Sequence, residues 1–190
     1  PHMMRSAPAE TRAAPASSVP LRTQEPVDLE AQLATLPKDA TARGLYYRCV
    51  LAQIPRGTAV EPILARAGVP TARFQPLSAY PAAGFYRLSA EVARLLFPRE
   101  PLGEGLRRLG WTFYTNLADS VPGRVVFGVL GRDAGRIFPT GHFGWRMSTN
   151  FGRVDTELVG TKHVRYHFRD YVLVETMQAG VVEGALRFCG

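Results

Sequence analysis

The stretch RVDTELVGTKHVRYHFRDYVLVET (153–176) decides the fold, because its hydrophobic period is two. Val154, Thr156 and Leu158 alternate with Arg153, Asp155 and Glu157, and Val164, Tyr166 and Phe168 alternate with His163, Arg165, His167 and Arg169. Successive strand side chains point to opposite faces, so each run has one apolar and one charged side. Gly160, Thr161 and Lys162 read as the turn between them. A three-residue loop pairs Val159 with His163, and stepping back sets Glu157 against Arg165, Asp155 against His167, Thr156 against Tyr166 and Val154 against Phe168. A two-residue loop would put Val154 and Leu158 beside the cations, and register follows the buried face. Asp170 marks a second turn, and YVLVET (171–176) reads as a third strand of an antiparallel meander.

The row His163, Arg165, His167, Arg169 has three readings: metal site, anion or partner surface, and solvated face. His163 and His167 lie roughly 13 Å apart along a strand, whereas zinc holds nitrogen at about 2 Å, so they cannot chelate alone. Carboxylates opposite Arg165 and His167 favour the solvated face, with the anion or partner surface next.

Working back toward the N-terminus, the period becomes helical. Short helices are expected at Val27–Leu36 and Ala59–Ala67, and a buried one at LYYRCVLAQI (45–54). Phe85, Leu88, Val92 and Leu95 mark an amphipathic helix stopped by Pro98. Leu102, Leu106, Leu109, Phe113 and Leu117 mark another, broken at Pro122-Gly123, with Arg107 and Arg108 opposite. Val125 to Leu130 begins a further helix, and Pro139–Trp145 is expected as a loop. A last helix, Ala179–Phe188, carries Gly180 and Gly184 four apart, a spacing that lets it approach a sheet closely. Helices first and strands later predict an α+β domain, with helices packed on one face of a C-terminal antiparallel β-meander.

The chain has 190 residues and a formal charge of +7, and 46% of it is hydrophobic. Residues 1–26 are expected to be a tag remnant followed by a flexible Ala/Pro/Ser-rich tail, and 27–190 one domain. Among 23 basic residues only Lys38 and Lys162 are lysine, which leaves 21 scattered arginines. That scatter weakens a nucleic-acid reading. No run approaches the roughly 18 apolar residues of a membrane span. Two cysteines make no disulfide framework, so a cytoplasmic setting is expected.

Familiar motifs are missed. GEGLRRLG (103–110) has the wrong glycine spacing for a dinucleotide fingerprint, and Pro98 and Pro101 stand where a strand would be needed. GTK (160–162) lacks the order of a phosphate-binding loop, and neither Ser120 nor Ser148 sits in a nucleophile elbow. Cys49 reads as a small buried hydrophobe. Tyr46, Tyr47, Phe85, Trp111, Phe113 and Phe127 fall on helices, mostly as core, and are candidates to line an apolar pocket between them.

Four segments, ARGLYYRCVLAQI (42–54), YPAAGFYRLSAEVARLLFP (80–98), EGLRRLGWTFYTNLADSVPGRVVFGVLG (104–131) and NFGRVDTELVGTKHVRYHFRDYVLVETMQAGVVEGALRFCG (150–190), together resemble a myxobacterial paralogous family of unknown function. That family is distantly similar to the superfamily of 4-vinyl-reductase-type domains, haem-based nitric-oxide-binding domains and TRAPP vesicle-tethering subunits. The resemblance implies helices against an antiparallel sheet, dimerisation through helices and sometimes a buried ligand. It also implies strands after the glycine-bearing helix, so the domain is expected to lack its final strands. Haem is not expected, since no predicted helix turns a histidine to its apolar side.

The leading reading is a non-enzymatic ligand-binding or protein-interaction domain in signalling or scaffolding, dimeric or partnered with another protein. It has no cofactor, and an apolar small molecule or a lipid is the ligand its helices suit. The alternatives are an adaptor for nucleic acid or nucleotide using Arg107, Arg108, Arg165 and Arg169, and an enzyme with His142, His163 or His167 as general acid/base.

Overall fold

The computed structural model describes residues 21–160 and 163–190. Most of the expected tail, and Thr161 and Lys162 of the hairpin loop, lie outside the described residues. The chain is α+β. Its elements run α1 (Leu29–Leu33), β1 (Thr41–Arg43), α2 (Gly44–Leu51), α3 (Glu61–Ala67), β2 (Ala79–Pro81), α4 (Ala82–Leu96), α5 (Leu102–Gly110), α6 (Phe113–Asp119), α7 (Val121–Leu130), α8 (Ala134–Ile137), α9 (Gly141–Ser148), β3 (Arg153–Gly160), β4 (His163–Arg169), a π-helical turn (Val174–Gln178) and α10 (Ala179–Cys189). Asp28 caps α1, its carboxylate accepting from Ala31 N at 3.0 Å.

The hairpin register is the expected one up to the turn. Val154 faces Phe168, Asp155 faces His167, Thr156 faces Tyr166 and Glu157 faces Arg165. Near the tip Gly160, not Val159, pairs with His163, because the register slips between Leu158 and Gly160. The third strand does not form. Asp170 and Leu173 take left-handed backbone (φ 54° and 55°), so 171–173 cannot run on beside β4, and the chain coils into the π-helical turn. A short apolar run serves a buried helix as well as a strand, and Val172, Leu173 and Met177 are buried. Both sheets are thus two-stranded, β1 with β2 and β3 with β4.

Two further expectations are corrected. The helix spanning Leu102 to Leu117 is two helices, joined through Trp111 and Thr112. Pro139–Trp145 is not a loop, because Gly141–Ser148 is helical. Pro122 falls in the first turn of α7, where a missing N–H costs nothing, and Ser120 caps that helix by accepting from Gly123 N at 3.0 Å.

The core joins α2, α3, α4 and α5, with Val50, Leu88, Val92, Leu106 and Leu109 fully buried. The spacing of Gly180 and Gly184 serves close approach, but to a helix and not to a sheet. A Cβ on Gly180 would overlap the Arg107 carbonyl oxygen and lie 2.9 Å from Arg107 Cα. One on Gly184 would lie 2.8 Å from Trp111 Cα, and one on Gly110 2.6 Å from Met177 O. Helix α10 therefore crosses the end of α5 backbone against backbone.

The hairpin lies against α9. The Trp145 ring meets Phe168 edge-on at 5.3 Å and Tyr166 at 5.5 Å, and Tyr166 Oη donates to Phe138 O at 2.6 Å. The far end of α9 is fastened to β1. Asn150 Oδ1 accepts from Thr41 N at 2.6 Å, Asn150 Nδ2 donates to Asp39 O at 2.9 Å, and Ala42 bridges to Thr149.

Candidate functional site

Between β1, α2, α4, α6, α9, α10 and the π-helical turn lies a partly open cavity of about 90 Å³. Its lining is Ala42, Tyr46, Phe85, Tyr86, Phe113, Tyr114, Leu117, Gly141, Gly144, Trp145, Ser148, Thr149, Tyr171, Met177, Gln178 and Val181, with no charged side chain among them. Of the six aromatic residues expected to line a pocket, Tyr46, Phe85 and Phe113 do so. Tyr47 is instead core: it stacks on Phe74 at 4.3 Å and donates to Pro81 O at 2.5 Å. Trp111 sits at the α5–α10 crossing, its Nε1 donating to Glu183 at 2.6 Å and its ring covered by Arg187 at 3.9 Å. Phe127 on α7 packs on Phe188 at 4.9 Å.

The sequence reading missed Tyr86, Tyr114, Trp145 and Tyr171. Tyr86 and Tyr114 each directly follow a residue it did pick, and a helix of 3.6 residues per turn often turns two neighbours toward one side. Trp145 was hidden by the loop assignment and Tyr171 by the strand assignment.

Hydroxyl groups ring this aromatic wall. Ser148 Oγ bonds both Tyr46 Oη and Gly144 O. Ser148 has one proton, so donation to the carbonyl makes Tyr46 the donor to Ser148. Tyr171 Oη likewise meets Thr149 Oγ1 at 2.6 Å, and Trp145 Nε1 donates to Gln178 Oε1 at 3.1 Å. Burial pushes the phenols of Tyr46, Tyr86 and Tyr114 upward, and that of Tyr171 to about 12. All four stay protonated donors at neutral pH.

A family model described as "Protein of unknown function (DUF2378)" matches residues 36–190. The chain belongs to the DUF2378 family. No curated protein matches it.

In this DUF2378 chain the row on β4 is an exposed face, with His163, Arg165, His167 and Arg169 outward. Arg165 reaches Glu157 at 3.1 Å and His167 Nε2 reaches the same carboxylate at 2.9 Å. Asp155 pairs with Arg153 at 2.7 Å and Arg169 at 3.7 Å, so the ion pairs run along and across the strands and not only straight across. Hydrogen bonds from His167 and Arg153 lead the causes that hold Glu157 and Asp155 below the usual carboxylate range. Arg107 and Arg108 lie apart from this row on α5. Arg107 is held by Glu183 at 2.9 Å and Glu104 at 3.1 Å, and Arg108 by Glu100 at 3.1 Å.

None of His142, His163 and His167 lines the cavity. His142 is on α9, its Nδ1 3.2 Å from Thr156 Oγ1. Among the described residues no group of three or more His, Cys, Asp or Glu side chains could hold a metal ion. Burial pushes the Cys49 thiol up to about 12, and Cys189 is half-buried. Since the thiolate is the reactive form, an aromatic disulfide reagent at pH 8 is expected to count one thiol in the folded protein and two after denaturation. Two rapidly reacting thiols under native conditions would contradict the burial of Cys49.

Proposed function

We propose that this chain is a non-enzymatic binding module whose interhelical cavity receives an apolar small molecule. The observation that carries the reading is the wall itself: seven aromatic side chains, Tyr46, Phe85, Tyr86, Phe113, Tyr114, Trp145 and Tyr171, around one space. Apolar walls with a few placed polar groups are the usual form of a small-molecule site. The enzyme reading has less support, since the three candidate histidines stand outside the cavity. So has the nucleic-acid reading, since Arg107, Arg108 and Arg165 are each paired with carboxylates. A cytoplasmic signalling or scaffolding role belongs to the same proposal, as does kinship with the 4-vinyl-reductase and TRAPP-type domains, which the α+β architecture supports.

Saturation-transfer NMR with toluene tests it. Toluene is expected to receive saturation from the wild-type protein and to lose it in Val181→Phe, where a larger side chain fills the lining. No transfer, or transfer indifferent to Val181→Phe, would remove the cavity from the account.

A second reading, self-association, is favoured by α7. Val121, Val125 and Val129 are 68%, 68% and 76% exposed at four-residue spacing, and such a run of bare valine on one helix marks an interaction surface. The row is symmetric about Val125, so a two-fold axis there lays α7 antiparallel on a second copy, valine on valine. Native mass spectrometry is expected to find dimers of the wild type and monomers of Val125→Glu with unchanged thermal stability. Equal proportions of dimer in both would rule this surface out.

A further inference from the structure

The cavity's chemistry selects among apolar ligands. Resting on the binding-module reading, we propose that its ligand is an uncharged ring compound bearing a hydrogen-bond acceptor, a ketone or ester oxygen, which the hydroxyl groups of Tyr114 and Tyr86 grip.

The first argument is charge. Among the described residues no Asp, Glu, Lys, Arg or His lines the cavity. A buried ion without a partner is strongly disfavoured, so carboxylates and ammonium groups are rejected. The second is the balance of donors and acceptors. The hydroxyls of Tyr46 and Tyr171 are engaged with Ser148 and Thr149, and the Gln178 carbonyl oxygen accepts from Trp145. Two protons are left over. Tyr86 Oη accepts a long bond, 3.4 Å, from Gln178 Nε2, which leaves its own O–H without an acceptor among the described residues. Tyr114, half-buried, has no hydrogen-bond partner among them. The groups left over are thus donors on phenols that stay protonated. The Tyr114 hydroxyl is open to water, and a bare hydrocarbon that displaced this water would leave the donor unmatched. The third is shape. Aromatic walls favour a flat ring by edge and face contacts. At about 90 Å³ the space is smaller than the roughly 150 Å³ that encloses a benzene ring. The ring therefore reaches toward the exposed Gly144, where nothing lies within 4 Å of a side-chain position. Its acceptor points inward.

Four probes sharing one phenyl ring separate these terms: acetophenone, toluene, benzoate and phenyltrimethylammonium, each titrated by NMR into the wild type, Tyr114→Phe and Tyr86→Phe. Acetophenone is expected to bind about three- to tenfold tighter than toluene, the range a neutral hydrogen bond gives. The two ions are expected to bind at least about tenfold more weakly than acetophenone. Tyr114→Phe removes a hydroxyl with no partner among the described residues, so it is expected to bring acetophenone affinity down to that of toluene in the same variant while leaving thermal stability alone. Tyr86→Phe gives a second check on the same advantage. Equal affinity for acetophenone and toluene, an unmoved advantage in both variants, or preference for either ion overturns the acceptor class and leaves the binding-module reading standing. If toluene and acetophenone both fail to bind, both are overturned.

Discussion

Gly180→Ala is expected to lower stability by about 3 kcal/mol, the upper end of what an added core methyl costs where nothing can yield. For a chain of this length that corresponds to a fall in Tm of about 6–12 °C. The methyl would enter the backbone of α5 at Arg107, and a backbone cannot move aside as a flexible side chain can. Moving α10 away instead would loosen its contacts at Gly184 with Trp111 and at Val181 with Gly110. Gly128→Ala on α7 is the matched control: nothing lies within 4 Å of its side-chain position, and alanine there should raise stability by about 0.5–1 kcal/mol through helix propensity. Thermal melts of the two variants side by side test the crossing, and a Gly180→Ala protein that melts like Gly128→Ala would show that the helices do not meet this closely.

Tyr47→Ala is expected to cost about 3–5 kcal/mol, the range for removing a buried aromatic ring. Tyr47 is 1% exposed, stacked on Phe74 and meeting Phe85 at 5.6 Å and Tyr80 at 5.8 Å. Its hydroxyl also ties α2 to Pro81 O, the residue from which α4 starts. Tyr47→Phe removes only that bond and should cost about 0.5–1.5 kcal/mol, the net contribution of one hydrogen bond to a part-exposed carbonyl. Urea titration separates the two. Adjacent Tyr46 belongs to the cavity, so Tyr47→Phe should leave toluene binding intact. A Tyr47→Ala protein as stable as the wild type would mean that the cluster is not core.

Why Tyr46 and Tyr47 part company was not legible in the sequence. Both fall on a helix that is apolar except at Arg48, and periodicity cannot say which of its apolar sides meets a void and which meets Phe74. The β3–β4 register was legible from Val154 to Glu157, because a slip of one residue would exchange every apolar side chain for a charged one. The same logic failed at YVLVET, whose central Val172 and Leu173 can be buried by a strand or by a coiled turn alike. What decided there was backbone geometry at Asp170 and Leu173: aspartate tolerates left-handed angles and did mark a turn, whereas leucine gives no such signal. The Gly180/Gly184 spacing announced a close approach without saying to what. For the cavity, the rings on α2, α4 and α6 were found, and those on α9 and beside the π-helical turn were lost with the elements assigned to them.

Helix α9 has two tenants. Its Trp145 and Ser148 wall the cavity, and the same Trp145 ring is the bed on which Tyr166 and Phe168 rest. Anything that tilts this helix to admit a guest must also shift the outer ribbon, while Asn150 pins the helix's C-terminal end. Occupancy inside would thus be announced on the charged outer face, and amide exchange along β4 is where that message would be read.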